Sequence, residues 1–152
     1  MNPDLIDQLT AEATFGPKKK ASSKNGMVVS SHPVVSRVGT DMLRAGGNAV
    51  DAALAASVAQ TVVEPHMCTI FGVLSMMYYD ASTGKTSYLN GSMNAPLAGL
   101  PGYGAHDLAG GRAVSVPGFW AAYEDARETY ASKSSAELIA PAIELARTGF
   151  PV

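Results

Sequence analysis

Few side chains in these 152 residues are of a type that makes or breaks covalent bonds. Cys68 is the only cysteine, with His66 two positions before it. A reactive cysteine needs an electropositive partner that favours its thiolate. Spacing alone gives Cys68 no such histidine, so a buried structural thiol is expected. One cysteine also excludes an intrachain disulfide and a Cys-x-x-Cys metal knuckle. His32 precedes Pro33 directly, which puts it in a turn network rather than a metal site. His106 lies in a glycine-rich stretch, where it can line a pocket. The aspartates and glutamates show no paired spacing of the kind that glycosidases or two-metal centres use. Met67, Met76, Met77 and Met93 are expected as adaptable packing, and Trp120 as core or interface.

The net charge of −2 argues against an electrostatic footprint for nucleic acid or anionic lipid. The basic run Lys18, Lys19, Lys20 and Lys24 falls in an N-terminal arm rich in Gly, Pro and Ser, and reads as a solvated segment. Its opening, Met-Asn-Pro-Asp-Leu-Ile-Asp, is not a secretory signal. Ala49 to Val63 is the most apolar stretch, yet it is shorter than the ~20 residues a membrane span needs and carries Asp51 and Gln60. A soluble cytoplasmic protein is the simplest expectation, although a chain whose leader has been removed would read the same.

Periodicity supplies the elements that must position these groups. In the arm, residues 1–25, Leu5, Ile6 and Leu9 make one amphipathic turn or two before Phe15-Gly16-Pro17 breaks the helix. Met27 to Val29 reads as a short strand. Pro33 suits a first helical position, and Val34, Val38 and Met42 follow at helical spacing up to a stop at Gly46-Gly47. Asn48 is a good N-cap for the next helix, with Asp51 complementing its N-terminus. That helix is so rich in alanine that close neighbours on several faces are expected. Val73 to Tyr79 reads as a central strand buried on both faces, returning through Asp80–Gly84 into Lys85–Leu89. Residues 91–111 hold six glycines and two prolines and read as a long loop. Ala113 to Val116 reads as a short strand. Phe119, Tyr123, Ala126 and Tyr130 mark a helix face. Ser134 and Glu137 form a capping box for a last helix, kinked or split at Pro141, with Leu138, Ala142, Leu145 and Ala146 on its apolar face and Gly149 and Pro151 ending it. This mixture fits an α/β or α+β layered fold.

Seven segments in order carry a resemblance. They are Asn25-Gly26-Met27-Val28-Val29-Ser30-Ser31-His32-Pro33; Leu43-Arg44-Ala45-Gly46-Gly47-Asn48-Ala49-Val50-Asp51-Ala52-Ala53; and Val62-Val63-Glu64-Pro65-His66. Then come Tyr78-Tyr79-Asp80 with Thr83-Gly84-Lys85; Ala95-Pro96; Ser115-Val116-Pro117-Gly118; and Ala140-Pro141-Ala142-Ile143-Glu144-Leu145-Ala146-Arg147. From about residue 25 onward the chain resembles the N-terminal part of the large subunit of the γ-glutamyltransferase family. The resemblance implies an α+β fold that is an incomplete part of a four-layer αββα sandwich, with residues 26–152 as the large-subunit portion. It also implies a precursor that cuts itself and an amidohydrolase or acyltransferase working through an acyl-enzyme. The nucleophile is the N-terminal threonine of a small subunit, its own α-amine acting as base. No residue here matches that threonine, so no catalytic residue is assigned to this chain. The implied partners are the remaining large-subunit segment, the nucleophile-bearing small subunit and a small-molecule amide, with no cofactor, metal, nucleic acid or membrane. The alternative is a non-catalytic structural or regulatory pseudo-subunit of the same fold, or a truncated product.

The chain departs from the family in two places. Where the transferases present an arginine shortly before Ala-Pro, able to pair with the substrate α-carboxylate, this sequence reads Asn90-Gly91-Ser92-Met93-Asn94-Ala95-Pro96. Ser92 or Asn94 takes the arginine's place. A site without that charge-assisted contact leaves a glutamyl carboxylate desolvated and uncompensated. A neutral acyl group is therefore expected in place of glutathione, with Asn90, Ser92, Asn94 and His106 as substrate-binding candidates; an arginine from elsewhere is the competing possibility. After Glu64-Pro65, the family's glycine-rich stretch is replaced by His66-Met67-Cys68-Thr69-Ile70-Phe71-Gly72-Val73-Leu74-Ser75. Its bulky residues are expected to reshape a pocket wall or to pack the core.

Overall fold

The computed structural model describes residues 2–13, 16–17 and 20–150. In chain order the elements are α1 Pro3–Ala11, α2 Pro33–Arg44, α3 Ala49–Val63, β1 Leu74–Asp80, β2 Lys85–Gly91, α4 Phe119–Tyr130 and α5 Ser135–Thr148. Short 3-10 turns lie at Ala105–Asp107 and Gly111–Ala113. The chain divides into two compact units, one running to Thr69 and resuming at Ala126, the other Ile70–Asp125.

In the first unit the helix ends are built as their sequences dictate. His32 caps α2, its Nδ1 accepting the Val34 N–H at 3.2 Å, and Pro33 occupies the first turn, where a missing N–H costs nothing. Gly46 takes φ +82°, which lets the Gly47 N–H reach the Met42 carbonyl and the Gly46 N–H the Leu43 carbonyl, both at 3.0 Å. That paired bonding closes the helix. Asn48 then starts α3 at once: its Oδ1 accepts from Val50 and Asp51 at 2.9 Å, while Asp51 Oδ2 accepts the Asn48 N–H at 2.7 Å. The alanine-rich α3 packs against both α2 and α5, as its small side chains allow. At Gly39 of α2 a Cβ would stand 2.8 Å from Val28 Cγ1 and 3.3 Å from the Ala52 carbonyl oxygen, so glycine is what permits this approach. The unit's core includes Val34, Val35, Leu54, Ala55, Leu138 and Leu145, each fully or almost fully buried. Burying one such leucine contributes roughly 1.5–3 kcal/mol.

Several expectations need correction here. α1 is a full nine-residue helix, capped by Asn2 and packed against α2 with Ile6 buried, so this part of the arm is docked rather than solvated. Lys20 and Lys24 are exposed, while Phe15, Lys18, Lys19 and Pro151 lie outside the described residues. Met27 to Val29 is extended but is not a strand, because among the described residues no strand runs beside it. α5 runs through Pro141 as one helix, so it is not split there; it buries Leu138, Ala142 and Leu145 but leaves Ala146 exposed.

In the second unit, β1 and β2 form an antiparallel hairpin with register from Leu74↔Gly91 to Asp80↔Lys85. Asp80 organises its turn, its carboxylate accepting the Ser82 N–H at 2.9 Å and the Ser82 and Thr83 hydroxyls at 2.7 and 2.9 Å. The expectation of a strand buried on both faces fails. Burial alternates along β1, and Met77, Tyr79 and Tyr88 stand exposed on one face. Among the described residues β1 has β2 as its only strand partner, so it is an edge strand rather than a central one. The short strand at Ala113 to Val116 reduces to a single bridge between Val116 and Asn94.

Candidate functional site

The segment expected to read the acyl group begins at the end of β2. Gly91 is buried, and a Cβ there would lie 2.3 Å from both the Leu74 carbonyl oxygen and Ala122 Cβ. Gly118, just before α4, is equally confined: its Cβ would meet the Gly91 and Ser92 carbonyl oxygens at 2.4 Å. The Gly72 carbonyl accepts the N–H groups of Gly118 and Phe119 at 3.1 and 3.2 Å. Asn94 and Val116 exchange backbone hydrogen bonds of 3.0 and 2.8 Å. Residues 91–94 are thus sewn, backbone to backbone, to the approach of α4. Pro117-Gly118 stands in the sequence as part of a family-like segment; glycines at two element ends are the signal for this contact.

On this support the structure joins three of the four candidates. Asn90 Oδ1 accepts the Ser92 N–H at 3.1 Å, and Asn94 Nδ2 donates to the Ser92 carbonyl at 3.3 Å. Asn90, Ser92 and Asn94 therefore form one exposed turn of neutral polar groups. Such a turn offers hydroxyl and amide hydrogen bonds but no cation to a bound ligand.

His106 belongs to a separate cluster. Its Nε2 lies 3.2 Å from Asp107 Oδ2, and its side chain is 74% exposed. Asp107 is buried in spite of its charge, and also accepts the Gly104 N–H at 3.0 Å. Arg112 Nη1 is 3.5 Å from Asp107 Oδ1, while Nη2 donates to the Pro101 carbonyl at 2.7 Å. Arg112 is the only arginine between Ile70 and Asp125, and its guanidinium is already engaged within its own loop. Sequence reasoning missed both Asp107 and Arg112, since neither stands at a recognisable spacing.

The first unit holds its own polar junctions. Asp51 is fully buried and accepts, besides the Asn48 N–H, the Ser132 hydroxyl at 2.5 Å and the Ser132 and Lys133 N–H groups at 2.9 and 3.0 Å. Burial alone raises its pKa, but the bonds from Ser132, Asn48 and Lys133 outweigh this and hold the carboxyl below its usual value. At the other end of α3, Gln60 donates to Ser31 Oγ at 2.7 Å and the Ser31 hydroxyl donates to Glu64 at 2.5 Å, tying that end to the turn before α2. Burial lowers the pKa of His32, with Glu64 opposing it, which suits an Nδ1 that must stay an acceptor. Burial and the Glu64 charge raise the pKa of Cys68. Cys68 is half-buried rather than fully enclosed, but its environment disfavours the thiolate, as a structural role requires. Phe71 and Val73 are exposed, so in this structure they do not fill the core; nor do Met67, Met77 and Met93, also exposed. Trp120 packs edge-on against Phe119 and Tyr123. Among the described residues no group of three or more His, Cys, Asp or Glu could hold a metal, and no helix is long and apolar enough to cross a membrane.

Comparison with known proteins gives a consistent result. Residues 35–152 match the family model described as gamma-glutamyltranspeptidase. A Bacillus subtilis (strain 168) glutathione hydrolase proenzyme is 37% identical over 139 residues, covering 85% of this chain and 24% of the relative. An acylase ACY 1 proenzyme from Pseudomonas sp. (strain SE83) is 35% identical over 150 residues, covering 89% of this chain and 27% of the relative. The crystal structure of Helicobacter pylori gamma-glutamyltranspeptidase superposes with a TM-score of 0.79 at 33% identity, covering 87% of this chain and 40% of that one. The chain thus spans about a quarter of the length of these curated relatives.

Proposed function

Since the chain belongs to the gamma-glutamyltranspeptidase family, we propose that it is the N-terminal part of the large subunit of an amidohydrolase or acyltransferase whose acyl site takes a neutral group. Residues 26–152 form that part, within a four-layer αββα sandwich completed by the remaining large-subunit segment and a small subunit. The exposed hairpin face of Met77, Tyr79 and Tyr88 is a surface for such segments to cover. In the reaction, the hydroxyl of an N-terminal threonine on the small subunit attacks the amide carbon and passes its proton to the threonine's own α-amine. The C–N bond then breaks, the amine leaves with a proton, and water or an acceptor amine releases the acyl group.

One observation carries the reading of specificity. The turn Asn90–Asn94 is held in place by backbone contacts and offers neutral groups where a carboxylate-binding family member needs arginine. The unit's own arginine, Arg112, is committed to Asp107 and Pro101. Relatives named glutathione hydrolase and acylase stand at similar identity, so overall similarity does not separate the two chemistries.

The test is turnover by the purified assembly containing this chain, after N-terminal sequencing of its components. A component starting with threonine is expected, and neutral acyl anilides should be cleaved at least tenfold faster, by kcat/KM, than the γ-glutamyl anilide. Asn94→Arg should shift that ratio toward the γ-glutamyl substrate by on the order of ten- to a hundredfold, the value of a charge-assisted hydrogen bond. Equal use of both anilides by the unaltered protein would refute the neutral site. Failure to cleave any amide would leave the non-catalytic pseudo-subunit as the surviving alternative.

A further inference from the structure

Burial along residues 27–29 alternates as it does along an edge strand, yet among the described residues no strand lies beside them. Val28 is half-buried, its Cγ1 2.8 Å from where a Cβ on Gly39 would stand. Met27 and Val29 are 53% and 84% exposed. The main-chain N–H and carbonyl groups of residues 26–29 bond to no other backbone group among the described residues. The segment is nonetheless held. At its end the Ser30 hydroxyl meets the His32 carbonyl and the Ser36 hydroxyl, each at 2.7 Å, and Ser31 donates to Glu64 on the far side of α3.

Beside this segment runs a groove of about 600 Å3 within the first unit. Its opposite wall is α3, presenting Ala49, Ala52, Ala53 and Ala56, with Ser57 and Gln60 further along. Among the described residues no charged side chain lines it. A small-molecule site gathers a few convergent polar side chains. Here the unused polarity is a row of main-chain donors and acceptors, which another extended backbone satisfies.

We propose that the groove seats a β-strand supplied by the part of the family protein that this chain does not span, paired with residues 27–29 and laying small or β-branched side chains on the alanines of α3. This rests on the reading of the chain as one portion of a larger assembly. The chain covers 24% and 27% of two curated relatives, so most of their length is there to supply such a strand. Size favours that source over a second copy or a free peptide. Three residues at ~3.3 Å each make an edge of only ~10 Å, far short of what an independent interface of ~1,200–2,000 Å2 requires. The occupant has to be held elsewhere as well, as a strand of the same folded assembly is.

Hydrogen exchange read by mass spectrometry, on this chain alone and on the purified assembly containing it, decides the matter. Alone, the amides of residues 27–29 should exchange freely; in the assembly they should exchange about tenfold or more slowly, as paired strand amides do. Ala53→Arg puts a long charged side chain on the groove wall, at an exposed helical position that arginine suits. It should leave the chain's own urea midpoint unchanged, remove the protection of residues 27–29, and weaken association about ten- to a hundredfold, the cost of overpacking a filled groove. Equal exchange in the chain and in the assembly overturns the proposal, and so does an Ala53→Arg variant that associates and protects as the unaltered chain does. Protection that grows in the chain alone with its concentration, together with a doubled mass, overturns it in favour of a second copy. A preparation holding no other chain, with residues 27–29 unprotected, overturns it too. Turnover separates the two readings: an assembly that cleaves no amide yet protects residues 27–29 sinks the catalytic reading alone, and an active assembly with residues 27–29 unprotected sinks the strand site alone.

Discussion

Replacing Asp51 by asparagine should remove about 3 kcal/mol of stability. The wild-type carboxylate accepts four hydrogen bonds: Oδ2 from the Asn48 N–H and the Ser132 hydroxyl, Oδ1 from the Ser132 and Lys133 N–H groups. Asparagine keeps one acceptor oxygen and turns an NH2 toward the other two donors. Two charge-assisted bonds are then lost, each contributing roughly 1.5–3 kcal/mol, so the loss is about 3–6 kcal/mol before relaxation. Asp51 is 0% exposed, so solvent screening gives no reason to discount this. Ser132 is exposed, however, and its hydroxyl can turn to water, which favours the lower end. Against a typical total of about 5–15 kcal/mol this is severe. With m near 1–3 kcal/mol per molar urea, the midpoint should fall by roughly 1–3 M at unchanged m. The same bonds predict a pH signature. Because the folded carboxyl is held below its unfolded value of about 3.9, its contribution is complete above that pH and vanishes as pH drops through the lower folded value. Asp51→Asn should therefore flatten the acid limb of the stability curve. Urea unfolding followed by circular dichroism between pH 3 and 7 tests both points. A midpoint loss worth under about 1 kcal/mol, or an acid limb as steep as wild type, would refute the reasoning.

Three further outcomes are expected. Gly118→Ala places a Cβ 2.4–2.6 Å from backbone atoms of Gly91 and Ser92, which cannot swing aside as a side chain would; denaturant titration should show a loss near the top of the ~1–3 kcal/mol range for overpacking. His32 must stay neutral to cap α2, and its lowered pKa means that stability declines as pH falls below about 6.5 and levels off beneath the folded value. His32→Asn, which caps without titrating, should lose that decline in unfolding experiments at pH 7 and 5. Cys68 should react with a disulfide reagent at pH 7 more slowly than a free peptide cysteine, since burial and Glu64 raise its pKa; faster labelling would contradict a structural thiol.

What could be read in advance, and what could not, separates along the range of the interactions. Helix ends are local: Pro33, Gly46-Gly47, Asn48 and the Ser134–Glu137 box each act within a few residues, and all were legible. The hairpin turn at Asp80–Gly84 is local too. Strand status is not, because it depends on a neighbour elsewhere in the chain. Met27 to Val29 has strand composition but no described partner, and β1 has one where its apolar run called for two. The candidate site shows the same division. Asn90, Ser92 and Asn94 were identified from one seven-residue stretch, and their mutual hydrogen bonds span two residues each. Asp107 and Arg112 escaped notice because a buried carboxylate in a glycine-rich loop has no sequence signature; only its burial and its partners reveal it. Asp51 was read as a helix-end charge, and its bonds to Ser132 and Lys133, more than eighty residues away, lay beyond any local pattern.

The two ways in which the second unit fixes its loops bear on how specificity can change. The Asn90–Asn94 turn is located chiefly by backbone atoms: Gly91 against Leu74, Gly118 against Gly91 and Ser92, Asn94 against Val116. Apart from the two glycines, these contacts do not require particular side chains, so positions 92 and 94 can exchange arginine for serine or asparagine without moving the main chain. The Gly99–Val114 loop adds side-chain contacts to its backbone turns, with Asp107 accepting the Gly104 N–H and facing Arg112, so changes to Asp107 or Arg112 remove contacts that the Asn90–Asn94 turn does not use. A relative that recovers arginine at position 94 should therefore keep the hairpin register and the Asn94–Val116 bridge. A relative that loses Asp107 should show a rebuilt loop, because nothing else within that loop satisfies the Gly104 N–H and the Arg112 guanidinium together.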